Sequence, residues 1–386
     1  MAEAYIVAAA RTAAGRRKGA LSSVHPADLG AVILDTLVQR AGIDGSLVDD
    51  VIVGCVTQGG EQSFAFGRNL VLASGLPQSV PAVTIDRQCG SSQQALHFAA
   101  QAVMSGTQDI VIAAGTESMT RVPMGTNYTL YEQAGIGAGP FSPAIRERYN
   151  VTGFSQFVGA QMMADKYGLT REQMDEYALR SHQRAAVAIR DGAFDAEIVP
   201  VVTEHGEFRQ DEGVRFDASL ETMATVKPLM EGGSLTAANA SQMSDGASGV
   251  LVVGEKALKQ YNLTPIARVH AMAVTAGDPI IMLDEPVPAT RKVLERIGMK
   301  LDDIDLFEVN EAFASVPMGW LQALGVDPDK LNVNGGAIAL GHPLGATGTK
   351  LMTTLIYALK ARGKRYGLQM MCEGGGIANA TIVEVL

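Results

Sequence analysis

The chain has 386 residues, of which 47% are hydrophobic, enough to build a large core or two or three domains. Asp and Glu outnumber Lys and Arg by 41 to 31, and the resulting net charge of −10 argues against a general nucleic-acid-binding surface. Three cysteines in so long a chain exclude a disulfide framework and are typical of a reducing compartment. These properties favour a protein that acts on small ligands.

The two ends of the chain carry no recognisable targeting signal. The start has neither a basic leader with an apolar run nor an Arg-rich amphipathic presequence, and the end is not a peroxisomal tripeptide. Apolar stretches are all too short to span a bilayer. We therefore expect a cytoplasmic protein without a membrane span.

The first part of the chain alternates predicted helices and strands. An amphipathic helix over residues 31–38 precedes an apolar strand at 49–53. Helical periodicity then follows Cys89 and ends near Gly106. The next apolar run, at 110–115, is short and ends at a glycine, which is typical of a strand buried on both faces.

Residues 117–245 have a different character. Prolines and glycines between positions 123 and 143 interrupt the pattern before new helices begin. One of these helices is predicted to start at Thr170, since Gln173 three residues later fits a capping box, and to end near Gly192. We interpret this segment as an insertion with helices of its own.

The rest of the chain repeats the first part. The strand at 49–53 is repeated at 302–306, and a predicted helix precedes it in both places. When the distance between these two strands is added to the position of Cys89, the result is the position of His342. Helical periodicity again follows, up to about Gly363, and an apolar strand at 367–372 comes next. The sequence therefore predicts two related α/β halves packed back to back, with Cys89 and His342 at matching positions.

Cys89 lies in a polar, glycine-containing turn just before a predicted helix. The free N–H groups and the dipole of that helix are expected to lower the pKa of the thiol and favour the thiolate. Gly90 permits close approach of a substrate, and Ser91 and Ser92 are candidate caps. We predict that Cys89 is a nucleophile, whereas Cys55, inside an apolar strand, is interpreted as core.

Three further residues supply proton-transfer and polarising groups. His342 lies in a glycine-rich run and is expected to titrate near neutrality, and a base beside a thiol is the minimal activation for covalent chemistry. Cys372 opens a turn of three glycines whose N–H groups can bind an oxyanion, and its thiol can exchange protons with substrate. Asn310, at the end of a strand, can hold a water or polarise a carbonyl. Zinc is the rival ligand for these groups, but the sequence has no close pair such as C-x-x-C.

These motifs together resemble those of the thiolase family. The Cys-Gly-Ser turn at Cys89, the Asn-Glu-Ala-Phe at Asn310, the Gly-His-Pro at His342 and the Cys-x-Gly-Gly-Gly at Cys372 occur in the family's order and spacing. The match extends from residues 8–12 to the last strand. By this resemblance we expect an acyltransferase.

The resemblance also implies a fold. Thiolases are α/β proteins with two βαβαβαββ halves in a five-layered αβαβα core and an inserted loop domain that binds coenzyme A. On this basis we assign residues 1–116 and 246–265 to the N-terminal half, 117–245 to the loop domain and 266–386 to the C-terminal half.

Catalytic roles follow from the same resemblance. Cys89 would take the acyl group as a thioester, His342 would activate it, and Cys372 would act as general acid and base. His342 and a water held by Asn310 would stabilise an enolate. The N–H groups of Cys89 and Gly374 would bind the tetrahedral intermediate.

Coenzyme A contacts are implied as well. Arg215 and Thr222 would approach the adenine nucleotide, and the pantetheine channel would be lined by Ala237, Ser241, Met243, Ala312 and Phe313. Coenzyme A is a substrate in this interpretation, and no permanently bound cofactor or metal is implied. Homodimers and homotetramers are usual in the family, and a hydratase/dehydrogenase subunit is a possible partner.

Departures from the family pattern bear on the substrate. Ser92, Ala238 and Ala378 stand where many thiolases have glycine, and residues 155–157, Ser-Gln-Phe, occupy the place of a His-Met-Gly in short-chain biosynthetic members. These differences favour a degradative 3-ketoacyl-CoA thiolase of fatty-acid or related β-oxidation, acting on longer or bulky acyl chains.

Three alternative functions share features of this sequence. A biosynthetic acetyl-CoA C-acetyltransferase would form acetoacetyl-CoA with the same residues. A non-catalytic acyl-CoA-binding or scaffold relative would tolerate the loss of the motif residues, all of which are present. A β-ketoacyl synthase is disfavoured by Cys372 and Asn310, because that class is expected to carry two active-site histidines and no second cysteine.

Overall fold

The computed structural model describes residues 2–386. The first part of the chain alternates strands and helices as the sequence predicts. Its elements are β1 (Ala4–Thr12), β2 (Gly15–Arg16), α1 (Pro26–Ala41), β3 (Asp50–Gly54), α2 (Phe66–Ala73), β4 (Ala82–Ile85), α3 (Ser91–Ser105) and β5 (Ile110–Ser118). The predicted helix after Cys89 is confirmed as α3, which ends at Gly106 in the left-handed conformation (φ 76°) that glycine adopts readily.

A long segment separates β5 from the strand that pairs with it next along the chain, which begins at Ser244. It contains α4 (Thr126–Gln133), α5 (Pro143–Tyr149), α6 (Gln156–Tyr167), α7 (Arg171–Arg190), β6 (Ile198–Val199), β7 (Val201–Thr203), β8 (Gly206–Phe208) and α8 (Leu220–Ala224). The capping box predicted at Thr170 and Gln173 is confirmed at the start of α7. The division of the chain into a loop domain and two halves at the boundaries given above stays a prediction.

The chain then completes the first sheet and builds the second. The elements are β9 (Ser244–Gly254), α9 (Glu255–Gln260), β10 (Ala267–Ala276), α10 (Pro286–Ile297), β11 (Leu306–Val309), α11 (Ser315–Leu324), α12 (Ala337–Leu340), α13 (Thr347–Ala361), β12 (Tyr366–Glu373) and β13 (Ile377–Val385). Among residues 2–386, no helix has the length and apolar composition needed to cross a membrane.

The strands follow the same order in both halves. The first half runs β4-β3-β5-β9-β1, with β3 parallel to β4 and β5 and with β9 antiparallel to both its neighbours. The second half runs β11-β12-β13-β10, with β11 parallel to β12 and β13 antiparallel to both its neighbours. A short antiparallel pairing of residues 4–6 with 267–269 joins the two sheets at β1 and β10.

Helices cover each sheet and fill the space between them. α3 and α13 pack against each other between the sheets, where Leu96, Leu355 and Ile356 share one buried cluster with strands of both halves. α1 and α2 cover the outer face of the first sheet. α10 and α11 cover that of the second, with Trp320 of α11 packed on Phe307 of β11. The expected αβαβα layering is therefore confirmed.

The second half departs from the expected βαβαβαββ pattern at its third strand. In the described chain this position is reduced to an isolated bridge between Phe307 and Leu331. The cause is Asn332, whose backbone is left-handed (φ 46°) and therefore cannot continue a strand. Its side-chain amide bonds to the edge of β11 instead, accepting from Val309 N and donating to Val309 O, both at 2.9 Å.

Candidate active site

Cys89 is carried by a strained turn at the start of α3. Gln88 has a left-handed backbone (φ 48°), which is uncommon for a residue with a Cβ atom. Two contacts hold it: Gln88 N donates to Asp86 Oδ1 at 2.6 Å, and Ser91 Oγ donates to Gln88 O at 2.6 Å. The turn therefore presents Cys89 at a fixed angle just ahead of the helix.

The prediction that Ser91 and Ser92 cap α3 is wrong. Gly90 is the N-cap residue, and both serines lie within the first helical turn. Ser91 stabilises the turn described above, whereas Ser92 Oγ accepts a hydrogen bond from Thr349 N of α13 at 3.0 Å. Ser92 thus ties together the first turns of the two central helices.

His342 is oriented by hydrogen bonds to both ring nitrogens. Nδ1 lies 2.7 Å from Thr347 Oγ1, and Nε2 lies 3.4 Å from Asn310 Nδ2. Thr347 Oγ1 donates its single proton to Pro343 O at 2.8 Å, so it accepts from the ring, while Asn310 Nδ2 can only donate. These bonds assign the proton to Nδ1 and leave a lone pair on Nε2 facing Asn310.

The expectation that His342 titrates near neutrality is wrong. Its side chain is buried, and burial, followed by the charge of Lys350, lowers the pKa of His342 to about 3. The imidazole is therefore neutral at physiological pH. A neutral ring whose Nε2 carries no proton can accept one.

Cys372 and Asn310 meet at one edge of the second sheet. β11 and β12 are parallel neighbours, so their carboxyl ends lie together, and Asn310 N donates to Met370 O at 3.1 Å. The Asn310 amide lies beside the Cys372 thiol and favours its thiolate form. Burial, reinforced by Glu373, raises the pKa of Cys372 to about 12. Asn310 Oδ1 is buried without a partner in the part of the chain that the structure describes, which suits it to hold a water.

The turn after Cys372 packs against the turn that carries Cys89. A Cβ atom on Gly90 would lie 1.9 Å from Glu373 Oε1, so only glycine allows this approach. On the other side, a Cβ atom on Gly374 would lie 3.0 Å from Gln88 Oε1. The structure thus brings together all five predicted catalytic residues, from four separate parts of the chain: Cys89, Asn310, His342, Cys372 and Gly374.

This packing reverses the expected ionisation of Cys89. Burial, followed by the neighbouring Cys372 and Glu373, raises the pKa of the Cys89 thiol well above its usual value. The predicted lowering is therefore wrong, because loss of solvent outweighs the helix dipole. Cys89 is a neutral thiol in the resting protein and needs a base to become a nucleophile.

The structure also places the other cysteine. Cys55 is fully buried in the core of the first half, as its interpretation as core predicts. Across residues 2–386, no group of three His, Cys, Asp or Glu side chains is arranged to hold a metal ion.

The predicted pantetheine contacts fall into two sets. Ala312 and Phe313 are buried directly beyond Asn310, and Ser241 N donates to Ala312 O at 2.9 Å. Ser241 therefore lies beside the segment that follows Asn310. Ala237 and Met243, on the same stretch of chain, are exposed.

The predicted nucleotide contacts lie earlier in the loop segment. The backbone N of Arg215 donates to His182 Nδ1 at 3.1 Å. The arginine side chain is exposed. Thr222 is exposed at the start of α8, where its backbone N donates to Ser219 Oγ at 3.3 Å. Their roles toward coenzyme A stay predictions.

Two buried carboxylates support the site and were missed in the sequence. Glu311 accepts hydrogen bonds from Tyr177, Ser181, Asn332 and Ile338 N at 2.7 to 3.1 Å, and so joins α7 to the segment before His342. Glu117 accepts from Val56 N, Thr57 N and Gly345 N at 2.8 to 3.0 Å. An acidic residue at the end of an apolar strand was the signal available for both.

Family models match both halves of the chain. The thiolase N-terminal domain matches residues 4–256, and the thiolase C-terminal domain matches residues 263–385. The chain belongs to the thiolase family. The resemblance drawn from the motifs is confirmed, and with it the expectation of an acyltransferase.

This thiolase is similar over its full length to characterised proteins. It is 53% identical to the steroid 3-ketoacyl-CoA thiolase FadA6 of Mycobacterium tuberculosis, with 100% of this chain and 95% of the relative covered. It is 42% identical to the 3-ketoacyl-CoA thiolase of Bacillus subtilis, with 100% of both covered. The crystal structure of the Bacillus anthracis acetyl-CoA acetyltransferase superposes with a TM-score of 0.91 at 37% identity, covering 100% of this chain and 99% of the other. The expected thiolase fold and 3-ketoacyl-CoA thiolase activity agree with these relatives.

Proposed function

We propose that this thiolase cleaves 3-ketoacyl-CoA thioesters in the degradative direction, passing the shortened acyl group to coenzyme A through an acyl-Cys89 intermediate. The contact of Asn310 with both His342 Nε2 and the Cys372 thiol carries this proposal. It gathers a base, a proton donor and a polarising amide around one position beside Cys89.

The first half-reaction begins with two neutral groups. His342 Nε2 takes the proton of Cys89, and the thiolate attacks the 3-keto carbon of the substrate. The N–H groups of Cys89 and Gly374 stabilise the resulting oxyanion. The bond between C2 and C3 then breaks, leaving the acyl group on Cys89 and an acetyl-CoA enolate.

Cys372 completes this step and prepares the next. Its thiol protonates C2 of the enolate, whose oxygen is stabilised by His342 and by a water on Asn310, and acetyl-CoA leaves. The Cys372 thiolate takes the proton of an incoming coenzyme A, and the coenzyme A thiolate attacks the acyl-Cys89 carbonyl. Cys89 leaves as a thiolate and recovers its proton from the His342 imidazolium.

Bulky acyl groups are the proposed substrates. The relative that is 53% identical is named a steroid 3-ketoacyl-CoA thiolase. In this chain Phe157 and Val158, at the start of α6, remain 38% and 41% exposed, and the Phe157 ring packs edge-on at 5.7 Å against Phe313 of the predicted channel. Exposed apolar surface beside the channel supports an acyl group with rings or a long chain.

Acetoacetyl-CoA synthesis is the second candidate. It is supported by the similarity to the acetyl-CoA acetyltransferase of Bacillus anthracis. The same residues serve both directions, so the substrate decides between the two.

The proposal has consequences for ligands and assembly. Coenzyme A and acyl-CoA are the substrates, and the chemistry above uses no resident cofactor. We further propose a cytoplasmic homodimer or homotetramer, with a hydratase/dehydrogenase subunit as a possible partner.

The test is coenzyme A-dependent cleavage of 3-ketoacyl-CoA thioesters from four to sixteen carbons and of one ring-bearing thioester, followed by loss of the enolate absorbance. We expect kcat/KM to rise with acyl size. Activity confined to acetoacetyl-CoA would support the biosynthetic candidate instead. Absence of cleavage throughout would overturn both and leave an acyl-CoA-binding protein.

A further inference from the structure

Lys350 is a buried lysine of α13 that the mechanism above does not use. Only 4% of it is exposed. Its ammonium donates to Leu340 O at 2.5 Å and to Gly341 O at 3.0 Å. These are the two carbonyls that immediately precede His342, so Lys350 holds the backbone turn from which the imidazole projects.

That turn depends on external support. Gly341 has a left-handed φ of 77°, and a Cβ atom there would lie 2.5 Å from Ser244 Oγ. Beyond Gly341, His342 N donates to Gln242 O at 3.1 Å. Lys350 is thus the charged donor on the turn, and hydrogen bonds from a charged donor are stronger than neutral ones.

Buried charges surround the Lys350 ammonium. Arg11 of β1 binds both carboxylate oxygens of Asp211, at 2.9 and 3.0 Å, and Glu197 at 2.5 Å. Glu308 of β11 is also buried nearby and bears on Lys350. Burial lowers the pKa of Lys350 to about 8, with Asp211 opposing that shift, so the side chain remains mostly a cation at pH 7.

We propose that Lys350 is a positioning residue for His342. Its ammonium fixes the carbonyls of residues 340–341 and thereby the orientation of the imidazole, and its charge disfavours protonation of the resting ring. This inference rests on the proposed role of His342 as the base for Cys89. Both effects act on the same group. The hydrogen bonds set where Nε2 points, and the charge adds to burial in keeping Nε2 of the resting ring unprotonated.

The experiment compares Lys350→Met, which removes the charge and both donors at similar length, with Lys350→Arg, which keeps a cation. Lys360→Met is the matched control, since Lys360 is exposed near the end of the same helix. The measurement is the single-turnover rate of Cys89 acylation as a function of pH. His342→Asn is measured in parallel.

For Lys350→Met we expect acylation near neutral pH to fall about 100-fold, the cost of a misplaced catalytic group. Because loss of a neighbouring cation raises the pKa of His342, the acid limb of the profile should also move to higher pH. Lys350→Arg should leave that limb in place and recover much of the rate, and Lys360→Met should match wild type. An equal fall at every pH with an unmoved acid limb, or a Lys350→Met variant as fast as Lys360→Met, would overturn the inference.

Two further measurements keep the result clear. If His342→Asn acylates as fast as wild type, the proposed role of His342 fails, whereas a slow His342→Asn beside a normal Lys350→Met refutes only the role of Lys350. Should Lys350→Met not fold, Lys350→Gln, which removes the charge but keeps a donor, is measured in its place. An acid limb at higher pH than that of wild type supports the inference, and an unmoved limb contradicts it.

Discussion

Gly348 of α13 faces Gln93 of α3 so closely that a Cβ atom on Gly348 would lie 2.1 Å from the Gln93 backbone nitrogen. The neighbouring hydrogen bond from Thr349 N to Ser92 Oγ, at 3.0 Å, joins the two helices at the same place. Because α3 begins just after Cys89 and α13 shortly after His342, this helix crossing sets how the nucleophile and its base face each other.

Gly348→Ala should therefore separate the central helices. We expect the free energy of unfolding to fall by about 1–3 kcal/mol, the cost of overpacking, together with slower acylation of Cys89. Gly254→Ala is the control, because a Cβ atom there meets its nearest neighbour at 3.7 Å. Urea unfolding and burst kinetics on both variants measure the effect, and equal stability of the two would contradict this account of the crossing.

Substitution should distinguish the roles of the two active-site cysteines. Cys89→Ser is expected to abolish the acylation burst, because the nucleophile is lost. Cys372→Ser should still acylate slowly but fail to exchange the methyl protons of acetyl-CoA with deuterated solvent. Burst kinetics and proton NMR measure the two steps, and similar behaviour of both variants would refute the assignment of roles.

Alkylation of Cys89 should report its raised pKa. A thiol whose pKa lies well above the usual value has less thiolate at pH 7 than an ordinary cysteine, and the thiolate fraction grows as pH rises toward that pKa. The rate of inactivation by iodoacetamide should therefore keep rising above pH 8.5, near the reference value for cysteine. The double variant Cys55→Ser/Cys372→Ser provides a background in which only Cys89 reacts. A plateau below pH 7 would show a stabilised thiolate instead.

Much of this architecture is predictable from local sequence patterns. The repeat pairs Cys89 with His342 because both precede a helix of the central layer, and strand and helix periodicity locates β3, β5, α3 and α7 within a few residues. The motifs also identify Asn310 and Cys372, since parallel neighbouring strands bring their carboxyl ends together.

Ionisation and long-range support are not predictable in the same way. The pKa values of Cys89 and His342 depend on burial by segments distant in sequence, which a helix position or a glycine-rich turn does not reveal. The proton on His342 Nδ1 follows from Thr347 and Asn310 only when both are placed around the ring. Asn332 likewise replaces a strand through its side chain, which a periodicity of backbone elements cannot show.

Glu311 should prove structural rather than catalytic. Each of its carboxylate oxygens accepts two hydrogen bonds in a buried site. In Glu311→Gln the amide NH₂ would face two donors, so we expect the free energy of unfolding to fall by about 3 kcal/mol. Glu176→Gln, on the exposed side of α7, is the control. If Glu311→Gln unfolds like wild type but loses acylation, the residue acts in the chemistry.

Phe157 should help to select the acyl group. It packs edge-on against Phe313 at 5.7 Å while 38% of it stays exposed, so one face of the ring is free to contact a substrate in the predicted channel. Phe157→Gly introduces the residue that the resemblance to short-chain biosynthetic thiolases predicts at this place, and it removes that apolar face. We expect kcat/KM for a long or ring-bearing 3-ketoacyl-CoA to fall about 10-fold, since burying one aromatic side chain contributes about 1.5–3 kcal/mol at most. Cleavage of acetoacetyl-CoA, whose acyl group is too short to use this surface, should stay within about 2-fold of wild type by the same reasoning.

Val187→Gly, at an exposed apolar position on α7, controls for loss of surface hydrophobicity elsewhere. An equal loss on both substrates would place Phe157 in coenzyme A binding rather than acyl selection, because pantetheine is common to the two.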